Sequence, residues 1–401
     1  MEQRQVQQNI NTTAFSVLAA LSVSHCMNDA LQSVVSASYP IIKNELNLSF
    51  QQIGLITLAY QISASVFQPL VGYCFDRRPF VWSLPVGMMF TLIGLLSLAF
   101  STTLTWTLVS VFLVGMGSST FHPEASRLTS MASGGKRGMA QSVFQVGGNL
   151  GGSLGPLMVA AIVAPYARSN IAYFSILAFT GIMVMLFIGR WYRARLQVIT
   201  VQKSSEKVHI KPPLPLGQTI FTIAILLILI FSKYVYLTSL TSYYTFYMIE
   251  KFGVSVQMSQ VCLFVFLIAT AIGTLIGGPL GDRIGRKYVI WLSILGTAPF
   301  ALMMPHANLG WTIVLSFFSG LVLSSAMPAI LVYAQELLPY KLGLVSGLFF
   351  GFAFGIAGIA SAILGKQADI HGIEAVYNIC AYMPLIGLIT CLIPDLKKKT
   401  G

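Results

Sequence analysis

The sequence predicts an all-α integral membrane protein with twelve transmembrane helices in two six-helix bundles, both termini lying in the cytoplasm. Three observations lead to this fold class. Of the 401 residues, 55% are hydrophobic and only 9% are charged, whereas soluble domains average about 25% charged residues. Basic residues concentrate in alternate loops, and the two halves share motifs at a nearly constant offset. The composition excludes a soluble enzyme, a disordered chain and an ordinary nucleic-acid-binding protein, despite a formal net charge of +12.

Twelve runs of the chain are apolar enough and long enough to cross a bilayer, which takes roughly 20 residues. They cover residues 14–39, 50–74, 81–101, 104–127, 138–164, 170–190, 218–248, 257–280, 287–305, 310–334, 342–366 and 375–394. The polar start, residues 1–13, lacks the basic-then-apolar order of a cleaved signal. We therefore interpret the first run as a retained helix.

Basic residues set the orientation of these spans. With both termini inside, nineteen of the 24 lysines and arginines fall in inner segments, four fall in outer loops, and Lys233 lies inside a span. Cytoplasmic loops of membrane proteins carry the excess of Lys and Arg. Both ends of the chain are therefore predicted to be cytoplasmic.

A long polar stretch separates two sets of six spans. It predicts a cytoplasmic linker at residues 191–217, between an N-terminal bundle at 1–190 and a C-terminal bundle at 218–401. Two six-helix repeats with a site between them are a common transporter plan. The pairs that recur at offsets of 205 to 208 residues are Asp76-Arg77 with Asp282-Arg283, Ser118-Ser119 with Ser324-Ser325, Gly138 with Gly343, Phe144 with Phe349, and Ser24-His25 with Ser232-Lys233.

The loop after the eighth span carries the motif Gly278-Pro-Leu-Gly-Asp-Arg-Ile-Gly-Arg-Lys287. Its glycines permit a tight turn, its cations hold the loop inside, and Asp282 is placed to cap the next helix. The predicted gating residues of this region are Gly278, Asp282, Arg283, Gly285, Arg286 and, near the inner end of the tenth span, Glu336. The first-half copy keeps Asp76 and Arg77, also predicted to gate, but lacks the Gly-Arg-Lys end.

In the fifth span, Gly147, Gly151 and Gly155 recur every four residues, and Pro156 follows. Such a stripe lets two helices touch along their backbones, and the proline can kink its helix. On the neighbouring face, Gln141, Gln145 and Asn149 recur every four residues and are candidates to line a substrate pathway or to bridge helices, and both interpretations stay open.

Polar side chains within the membrane are candidates for function, because a buried charge costs about 2.5–3.5 kcal/mol on insertion scales. The first span carries His25, Asn28, Asp29, Gln32 and Ser36, which fall within an arc of about 100° on an ideal helix. We predict that Asp29 carries a proton and that His25, Asn28 and Gln32 bind substrate. The alternative is a helix-packing network around Asp29.

The seventh span places Lys233, Tyr236 and Tyr243 on one face with Tyr244 and Tyr247. A lysine followed by tyrosines can hold an anion and donate hydroxyl hydrogen bonds, so Lys233, Tyr236 and Tyr243 are predicted to bind substrate. For Tyr247, an interfacial aromatic belt is an equal alternative.

The fourth span ends in Phe121-His122-Pro123-Glu124-Ala-Ser-Arg127. Pro123 is expected to disturb the helix, and Glu124 and Arg127 are spaced to pair on one face. His122 is a candidate for substrate binding, and Glu124 with Arg127 for proton coupling. A purely structural ion pair at the cytoplasmic end is an equal alternative.

The loop motif at Gly278 resembles the signature loop of the major facilitator superfamily, and the stripe ending in Pro156 resembles the motif of its proton-coupled antiporters. Further stretches resemble its bacterial fosmidomycin resistance family: Ser24-His-Cys-Met-Asn-Asp29, Phe121-His-Pro-Glu124, Phe144-Gln-Val-Gly-Gly-Asn149, Phe231-Ser-Lys-Tyr234 and Tyr333-Ala-Gln-Glu-Leu-Leu-Pro339. One position departs from the pattern. Many drug antiporters carry an arginine where this chain has Val111, so proton linkage in an antiporter with this sequence must use another cation or none.

The resemblance implies a major facilitator fold in the bacterial cytoplasmic membrane and proton-driven antibiotic efflux by alternating access, with a fosmidomycin-like phosphonate or a related drug as substrate. The expected partners are the drug, protons and membrane lipid. No cofactor, metal site or nucleic-acid partner is expected, the five cysteines are too scattered for a disulfide framework, and we expect a monomer.

Other classes fit the sequence less well. A proton-coupled importer of a small anionic metabolite is the nearest alternative, and the antiporter-like glycine stripe argues against it. A membrane enzyme would need a nucleophile with its base or a metal cluster, and His122 with Glu124 is too little for either. A lipid-handling or structural protein would not need charged stripes inside its spans.

Overall fold

The structure, a computed structural model, describes residues 13–38, 41–42, 45–48, 50–163, 165–205, 214–254 and 256–396. All regular elements in this part of the chain are helical. The helices before the predicted linker are α1 (Phe15–Ala37), α2 (Phe50–Ser65), α3 (Phe67–Arg77), α4 (Ser83–Phe100), α5 (Leu104–Ala132), α6 (Arg137–Met158), a π-helical turn (Val159–Val163), a 3₁₀ turn (Arg168–Tyr173) and α7 (Phe174–Ser205).

The second set begins at Leu216, and most of its predicted spans are built from more than one helical segment. The helices are α8 (Leu216–Ser242), α9 (Tyr244–Phe252), α10 (Val256–Ile284), α11 (Arg286–Leu295), α12 (Ala298–Met303), a 3₁₀ turn (Met304–His306), α13 (Leu309–Ser324), α14 (Ala326–Leu337), α15 (Leu342–His371), α16 (Ile373–Cys380) and a 3₁₀ helix (Met383–Leu392).

The chain divides into two compact units. Unit 1 comprises Met1–Lys211 and Leu338–Gly351, and unit 2 comprises Pro212–Leu337 and Phe352–Gly401. The first part of α15 therefore packs with the helices that precede it by more than 200 positions, and the rest belongs to unit 2. The predicted linker begins inside α7, and residues 206–213 lie outside the described residues.

Nine helical stretches of the described chain are long and apolar enough to cross a membrane. Two helices outside this set are α1 and α6, which carry the polar stripe and the glycine stripe. Their polar and glycine content lowers the hydropathy on which such a criterion depends. The chain has multiple membrane-spanning helices, and the count of twelve stays a prediction, as does the cytoplasmic position of both termini.

Two equivalent helices begin with the same capping arrangement. The side chain of Thr103 accepts a hydrogen bond from the backbone N–H of Trp106 at the start of α5, at 3.3 Å. Asn308 accepts one from the N–H of Trp311 at the start of α13, at 3.0 Å. Each cap satisfies one of the free donors of a helix start. The repeat found in the motifs therefore extends to helix initiation.

The helix breaks do not all fall where the sequence predicted them. Pro123 lies inside α5, which runs unbroken from Leu104 to Ala132, so the expected disturbance is wrong at the level of helix continuity. The side chain of Pro156 lies outside the described residues, and α6 gives way to a π-helical turn three positions later. The seventh span instead breaks at Tyr243, between α8 and α9, where φ is −121° and ψ is −6°.

Candidate functional site

The glycine stripe of α6 packs directly against α1. An ideal Cβ on Gly147 would lie 2.1 Å from the carbonyl oxygen of Ser22, and one on Gly151 would lie 2.2 Å from that of Cys26. On Gly155 it would lie 2.4 Å from Cβ of Ser33. Real Cβ atoms do not approach so closely, so only glycine permits this contact. The stripe thus brings the two backbones together, as its spacing predicts.

Hydrogen bonds join α1 and α6 along this contact. Ser22 donates to the carbonyl of Val143 at 2.7 Å, and Ser33 donates to that of Gly152 at 2.9 Å. Between them, Nδ1 of His25 lies 2.7 Å from the carbonyl oxygen of Phe144. The His25 ring also stacks on the Phe144 ring, with centroids 4.0 Å apart. The ring is therefore held on two sides by α6.

Two histidines face one carboxylate in unit 1. Nε2 of His25 lies 3.2 Å from Oδ2 of Asp29, and Nε2 of His122 lies 3.4 Å from Oδ1. His25 is 3% exposed and His122 1%, whereas the Asp29 side chain is 22% exposed. The two histidines therefore contact Asp29, one from α1 and one from α5, and the carboxylate keeps part of its surface free.

Both histidines have their other ring nitrogen against a backbone carbonyl. Nδ1 of His122 lies 3.0 Å from the carbonyl oxygen of Ser118, in the same way that Nδ1 of His25 meets Phe144. Because a carbonyl only accepts, each Nδ1 carries a hydrogen, and a neutral ring then presents a lone pair on Nε2. An ionised carboxylate also presents only lone pairs. The contacts with Asp29 are thus favourable when a proton lies between ring and carboxylate.

The other polar residues of α1 extend this cluster. Asn28 donates from Nδ2 to Oδ1 of Asp29 at 3.0 Å, and Gln32 accepts from the hydroxyl of Tyr60 at 2.7 Å. Among the described residues, Oδ1 of Asn28 and Nε2 of Gln32 are buried without a hydrogen-bond partner. Buried polar atoms usually have one, so both amides retain binding capacity. The side chain of Ser36 lies outside the described residues.

Glu124 and Arg127 form a bidentate ion pair at buried positions. Nε and Nη2 of Arg127 lie 2.9 and 2.8 Å from the two Glu124 oxygens, and Nη2 also donates to the hydroxyl of Tyr192. Glu124 is 1% exposed and Arg127 7%. The spacing argument for a pair is confirmed, and its role in proton coupling stays a prediction.

The polar residues of α6 differ in burial, from fully buried Gln141 to exposed Asn149. Gln141 donates from Nε2 to the carbonyl of Ser126 at 2.8 Å and so ties α6 to α5. Ser346 of α15 donates to the hydroxyl of Ser126 at 3.1 Å. Further along α6, Gln145 is half-buried and Asn149 is exposed. For Gln145 and Asn149, lining a pathway and bridging helices both stay open.

Lys233 is a buried cation of unit 2. It is 4% exposed, and its Nζ lies 5.5 Å from the centre of the Tyr234 ring. Among the described residues no carboxylate lies within 4.0 Å of that nitrogen. A buried cation without a counter-ion is costly, which favours a role in holding an anion.

The tyrosines that follow Lys233 are core residues. The hydroxyl of Tyr236 lies 3.3 Å from Oγ of Ser319, and Tyr244 donates to Ser316 at 3.0 Å. Tyr247 is fully buried and stacks on Tyr377, with centroids 3.9 Å apart, so it does not lie in a surface aromatic belt. The helix breaks at Tyr243, which is half-buried. The predicted continuous face from Lys233 to Tyr247 therefore ends at Tyr243.

The signature motif forms a charged network within unit 2. Nη2 of Arg286 lies 2.9 Å from Oδ1 of Asp282 and 3.1 Å from Oε1 of Glu336. The N-cap residue of α11 is Gly285, where φ is +105° and no side chain is present to cap the helix. The Asp282 carboxylate holds Arg286, which lies one turn further along, and its capping of α11 stays a prediction. Gly278 is buried and Arg283 exposed.

The first-half copy does cap a helix. Asp76 accepts backbone hydrogen bonds from Gly343 and Leu344, both at 2.9 Å, at the start of α15. Burial raises the pKa of the Asp76 carboxyl, and the two N–H donors act in the opposite direction. Arg77 is exposed and lies over the Tyr73 ring at 4.4 Å. The weaker copy of the motif thus holds the capping carboxylate.

The comparison with protein families decides the identity. The model of the major facilitator superfamily matches residues 21–261 and 226–401. The chain belongs to the major facilitator superfamily. It is therefore a transporter of small molecules, and its multiple apolar helices fit a multi-pass protein of the bacterial cytoplasmic membrane.

Relatives within the superfamily cover the whole length of this transporter. It is 54% identical to the fosmidomycin resistance protein of Escherichia coli strain K12, over 96% of this chain and 95% of that protein. It is 37% identical to an MFS-type transporter of Bacillus subtilis, over 98% and 96%. The resemblance to the fosmidomycin resistance family is confirmed.

Solved structures share the fold. The transporter FucP in an outward conformation matches with a TM-score of 0.74 over 96% of this chain and 99% of that chain, at 15% sequence identity. The proton:xylose symporter XylE matches with a TM-score of 0.71 over 95% and 96%, also at 15% identity. The predicted major facilitator fold is confirmed.

Several residues that contact the candidate site could not be identified from the sequence, because their residue types do not indicate such a role. Tyr60 and Tyr192 contact predicted site residues from α2 and α7, and the Phe144 carbonyl is a backbone group. Gly148 lies beside His25 and Asp29. The sequence marked Gly148 only as a neighbour of Gly147 within residues 144–149, and that pattern indicated helix packing.

The cluster of His25, Asp29 and His122 is also a set of three possible metal ligands in the described part of the chain, its donor atoms lying within 4.8 Å of one another. Neutral imidazole and carboxylate can bind a divalent cation. Oδ1 of Asp29 already accepts from Asn28, which leaves it less free for a metal ion. The geometry of the cluster is thus compatible with a shared proton or with a metal ion.

Proposed function

We propose that this transporter is a proton-coupled antiporter that exports fosmidomycin-like phosphonates or related drugs from the cytoplasm by alternating access. The relative at 54% identity supports the substrate class through its name, fosmidomycin resistance protein. In this proposal the chain acts as a monomer in membrane lipid. It has twelve spans in bundles at 1–190 and 218–401, a cytoplasmic linker at 191–217 and both termini inside.

The observation that carries the proposal is the position of the Asp29 carboxylate between the Nε2 atoms of His25 and His122. The Nδ1 atom of each ring already contacts a backbone carbonyl. Such a cluster gains stability by binding a proton and loses it when the proton leaves. Asp29 is partly exposed, so it can exchange a proton, while the histidines hold it in place. Asp29 is therefore the proposed proton carrier, with His25 and His122 sharing its proton.

The ion pair of Glu124 and Arg127 has a supporting role in the proposal. Glu124 is two positions from His122 on α5 and is compensated by Arg127. A change of charge at Asp29 changes the electrostatic field at this pair, because buried charges are screened little. Glu124 and Arg127 are therefore proposed to complete the proton-coupling machinery.

The substrate end of the proposal rests on complementary charge. A phosphonate is anionic, and Lys233 is a buried cation with no carboxylate partner in the described residues. In unit 1, Asn28, Gln32, Gln145 and Asn149 offer amide groups, and in unit 2 Tyr236 and Tyr243 offer hydroxyls. Exchange of an entering proton for a leaving anion moves positive charge inward. An inside-negative membrane potential then drives export.

Gating in this proposal uses the two signature loops. Asp76 accepts backbone hydrogen bonds at the start of α15, and Arg286 forms ion pairs with Asp282 and Glu336. Both sets of contacts are proposed to form in one conformation and to break in another. Arg77, Gly278, Arg283 and Gly285 complete the loops. The packing of α1 on α6 through Gly147, Gly151, Gly155 and Pro156 is proposed to keep the proton site rigid during this change.

Purified protein in liposomes tests the coupling. With an acidic interior, exchange of internal protons for external drug is expected to accumulate fosmidomycin, whereas a symporter would need the opposite gradient. Asp29→Asn is expected to abolish accumulation driven by the gradient and to keep drug-for-drug counterflow. Glu374→Gln, an exposed acid of α16, is the matched control and should accumulate drug normally.

Two results would contradict the proposal. Accumulation only under an alkaline interior indicates symport, and undiminished accumulation by Asp29→Asn removes Asp29 from coupling. The same assay with EDTA on both sides separates protons from metal. Accumulation that persists in EDTA supports a proton site, and its loss indicates a bound metal ion.

A further inference from the structure

Gly148 lies against the proton cluster without belonging to the glycine stripe that packs α6 on α1. An ideal Cβ at this position would lie 2.5 Å from both Cε1 and Nε2 of His25 and 2.8 Å from Oδ2 of Asp29. We infer that Gly148 is a positioning residue, whose missing side chain allows His25 and Asp29 to share a proton. This inference rests on the proposed function.

The atoms beside Gly148 cannot move aside cheaply. The His25 ring is fixed by the contact of its Nδ1 with the Phe144 carbonyl at 2.7 Å and by stacking on the Phe144 ring. The ring is also T-shaped against His122, with centroids 5.2 Å apart. Asp29 is held by Asn28 and by His122. A methyl group at position 148 must therefore separate Nε2 of His25 from Oδ2 of Asp29.

Neighbouring glycines of the same helix meet different surroundings. Gly151 is opposite the Cys26 backbone, where a Cβ would be 2.2 Å from the carbonyl oxygen. A Cβ on Gly152 would meet nothing within 4 Å. A side chain at position 148 would therefore disturb the cluster, one at position 151 would disturb backbone packing, and one at position 152 would disturb neither. Of these three positions, only a Cβ at position 148 would meet the His25 and Asp29 side chains.

A longer contact between His25 and Asp29 has a defined effect on transport. A proton shared between two acceptors is bound less tightly when they are pushed apart, so a higher proton concentration is needed to fill the site. Gly148→Ala is expected to move the pH of half-maximal gradient-driven uptake lower by about one unit, a ten-fold change in proton concentration. Drug-for-drug counterflow at saturating fosmidomycin should change far less.

The experiment compares Gly148→Ala with Gly151→Ala and Gly152→Ala in liposomes, using fosmidomycin as the probe over a range of pH. Gly152→Ala is expected to keep the wild-type pH profile and stability. Gly151→Ala should lower the unfolding temperature in detergent and keep the profile of whatever protein remains folded. Calorimetric titration with fosmidomycin, in two buffers of different ionisation enthalpy, counts protons exchanged on binding and should change in Gly148→Ala alone.

A second measurement covers the case in which Gly148→Ala folds poorly. In a double-mutant cycle with His25→Ala, the stability loss from Gly148→Ala should largely disappear, because the ring it meets is gone. Equal stability losses with and without His25 would overturn the inference, as would a wild-type pH profile in a folded Gly148→Ala protein. If wild-type protein shows no proton-driven uptake, the proposed function fails instead, and the cycle still reports whether Gly148 meets His25.

Discussion

The interiors of the two units carry different polar chemistry. In the described part of unit 1, the buried charged or titratable residues include His25, His122, Glu124 and Arg127, together with the partly exposed Asp29. In unit 2, Lys233 is the buried charged side chain of the described residues, and it is followed by tyrosines hydrogen-bonded to serines.

This difference arises within one repeat. His25 and Lys233 correspond at an offset of 208 residues, and at the same offset Asp29 corresponds to Leu237 and Gln32 to Leu240. Equivalent positions thus hold titratable and amide side chains in one half and leucines in the other. The comparison teaches that a shared fold does not fix the chemistry of a helix face, which the side chains of each half decide separately.

The largest expected effect tests whether the charges of unit 1 are structural as well as functional. Glu124→Gln leaves Arg127 buried without its counter-ion, which is expected to cost about 3–5 kcal/mol of stability. The measurement is the unfolding transition in detergent. Glu45→Gln is the control, because its partner Arg168 keeps hydrogen bonds to Ser101, and a loss as large as that of Glu124→Gln would contradict the prediction.

The next prediction concerns the cation of unit 2. Lys233→Met removes a charged contact worth about 1.5–3 kcal/mol, so the fosmidomycin dissociation constant should rise about 10- to 100-fold. Stability should not fall, because no described carboxylate loses a partner. Lys251→Met is the matched control, since that lysine contacts Tyr247 and Pro305. Unchanged drug affinity in Lys233→Met would exclude the anion-binding role.

A third prediction concerns the turn of the second signature loop, with a glycine at the start of α8 as the control. Gly285 has φ of +105° and ψ of 142°, a region open almost only to glycine, so Gly285→Ala is expected to cost about 1–3 kcal/mol. In Gly217→Ala the added Cβ meets nothing within 4 Å, and stability should be unchanged or slightly higher. Equal unfolding midpoints for both variants would show that the turn at Gly285 relaxes freely.

The smallest expected effect tests the neutral network of unit 2. Tyr377 donates to the carbonyl of Ser239 at 2.9 Å, and Tyr377→Phe should cost about 0.5–1.5 kcal/mol. Proton-driven uptake should continue, because no charge is altered. Tyr382→Phe, at a side chain that is 60% exposed, should change neither property. A loss of proton coupling in Tyr377→Phe would mean that unit 2 also takes part in proton transfer.

Much of the fold was accessible from the sequence, because hydropathy and charge are properties of local segments. Helix breaks were less accessible. Pro123 was expected to interrupt α5 and does not, whereas Tyr243 ends α8 without proline or glycine. Tertiary packing decides whether a helix tolerates a lost hydrogen bond, and no local pattern reports that packing.

The sequence predicted which residues belong to the candidate site better than it predicted which of them contact each other. Helical spacing placed Asp29 and His25 on one face and paired Glu124 with Arg127, since these contacts lie within one helix. Spacing could not bring His122 of α5 to Asp29 of α1, because that contact depends on how two helices meet. It also proposed Asp282 as a helix cap and did not identify Asp76, whose carboxylate caps the start of α15.

The sequence by itself determined that this is a multi-span membrane protein with charged residues inside its spans, because composition and charge pattern suffice for that, and its resemblance to a known family supplied the transporter function. Only the tertiary structure decided which of those residues lie together, and it places His25, Asp29 and His122 in one cluster. Hydrogen-bond direction is set by the carbonyls of Phe144 and Ser118, and the necessary space is set by Gly148. Backbone carbonyls occur at every residue, and a missing side chain has no chemistry of its own, so neither could be recognised before the helices were placed together.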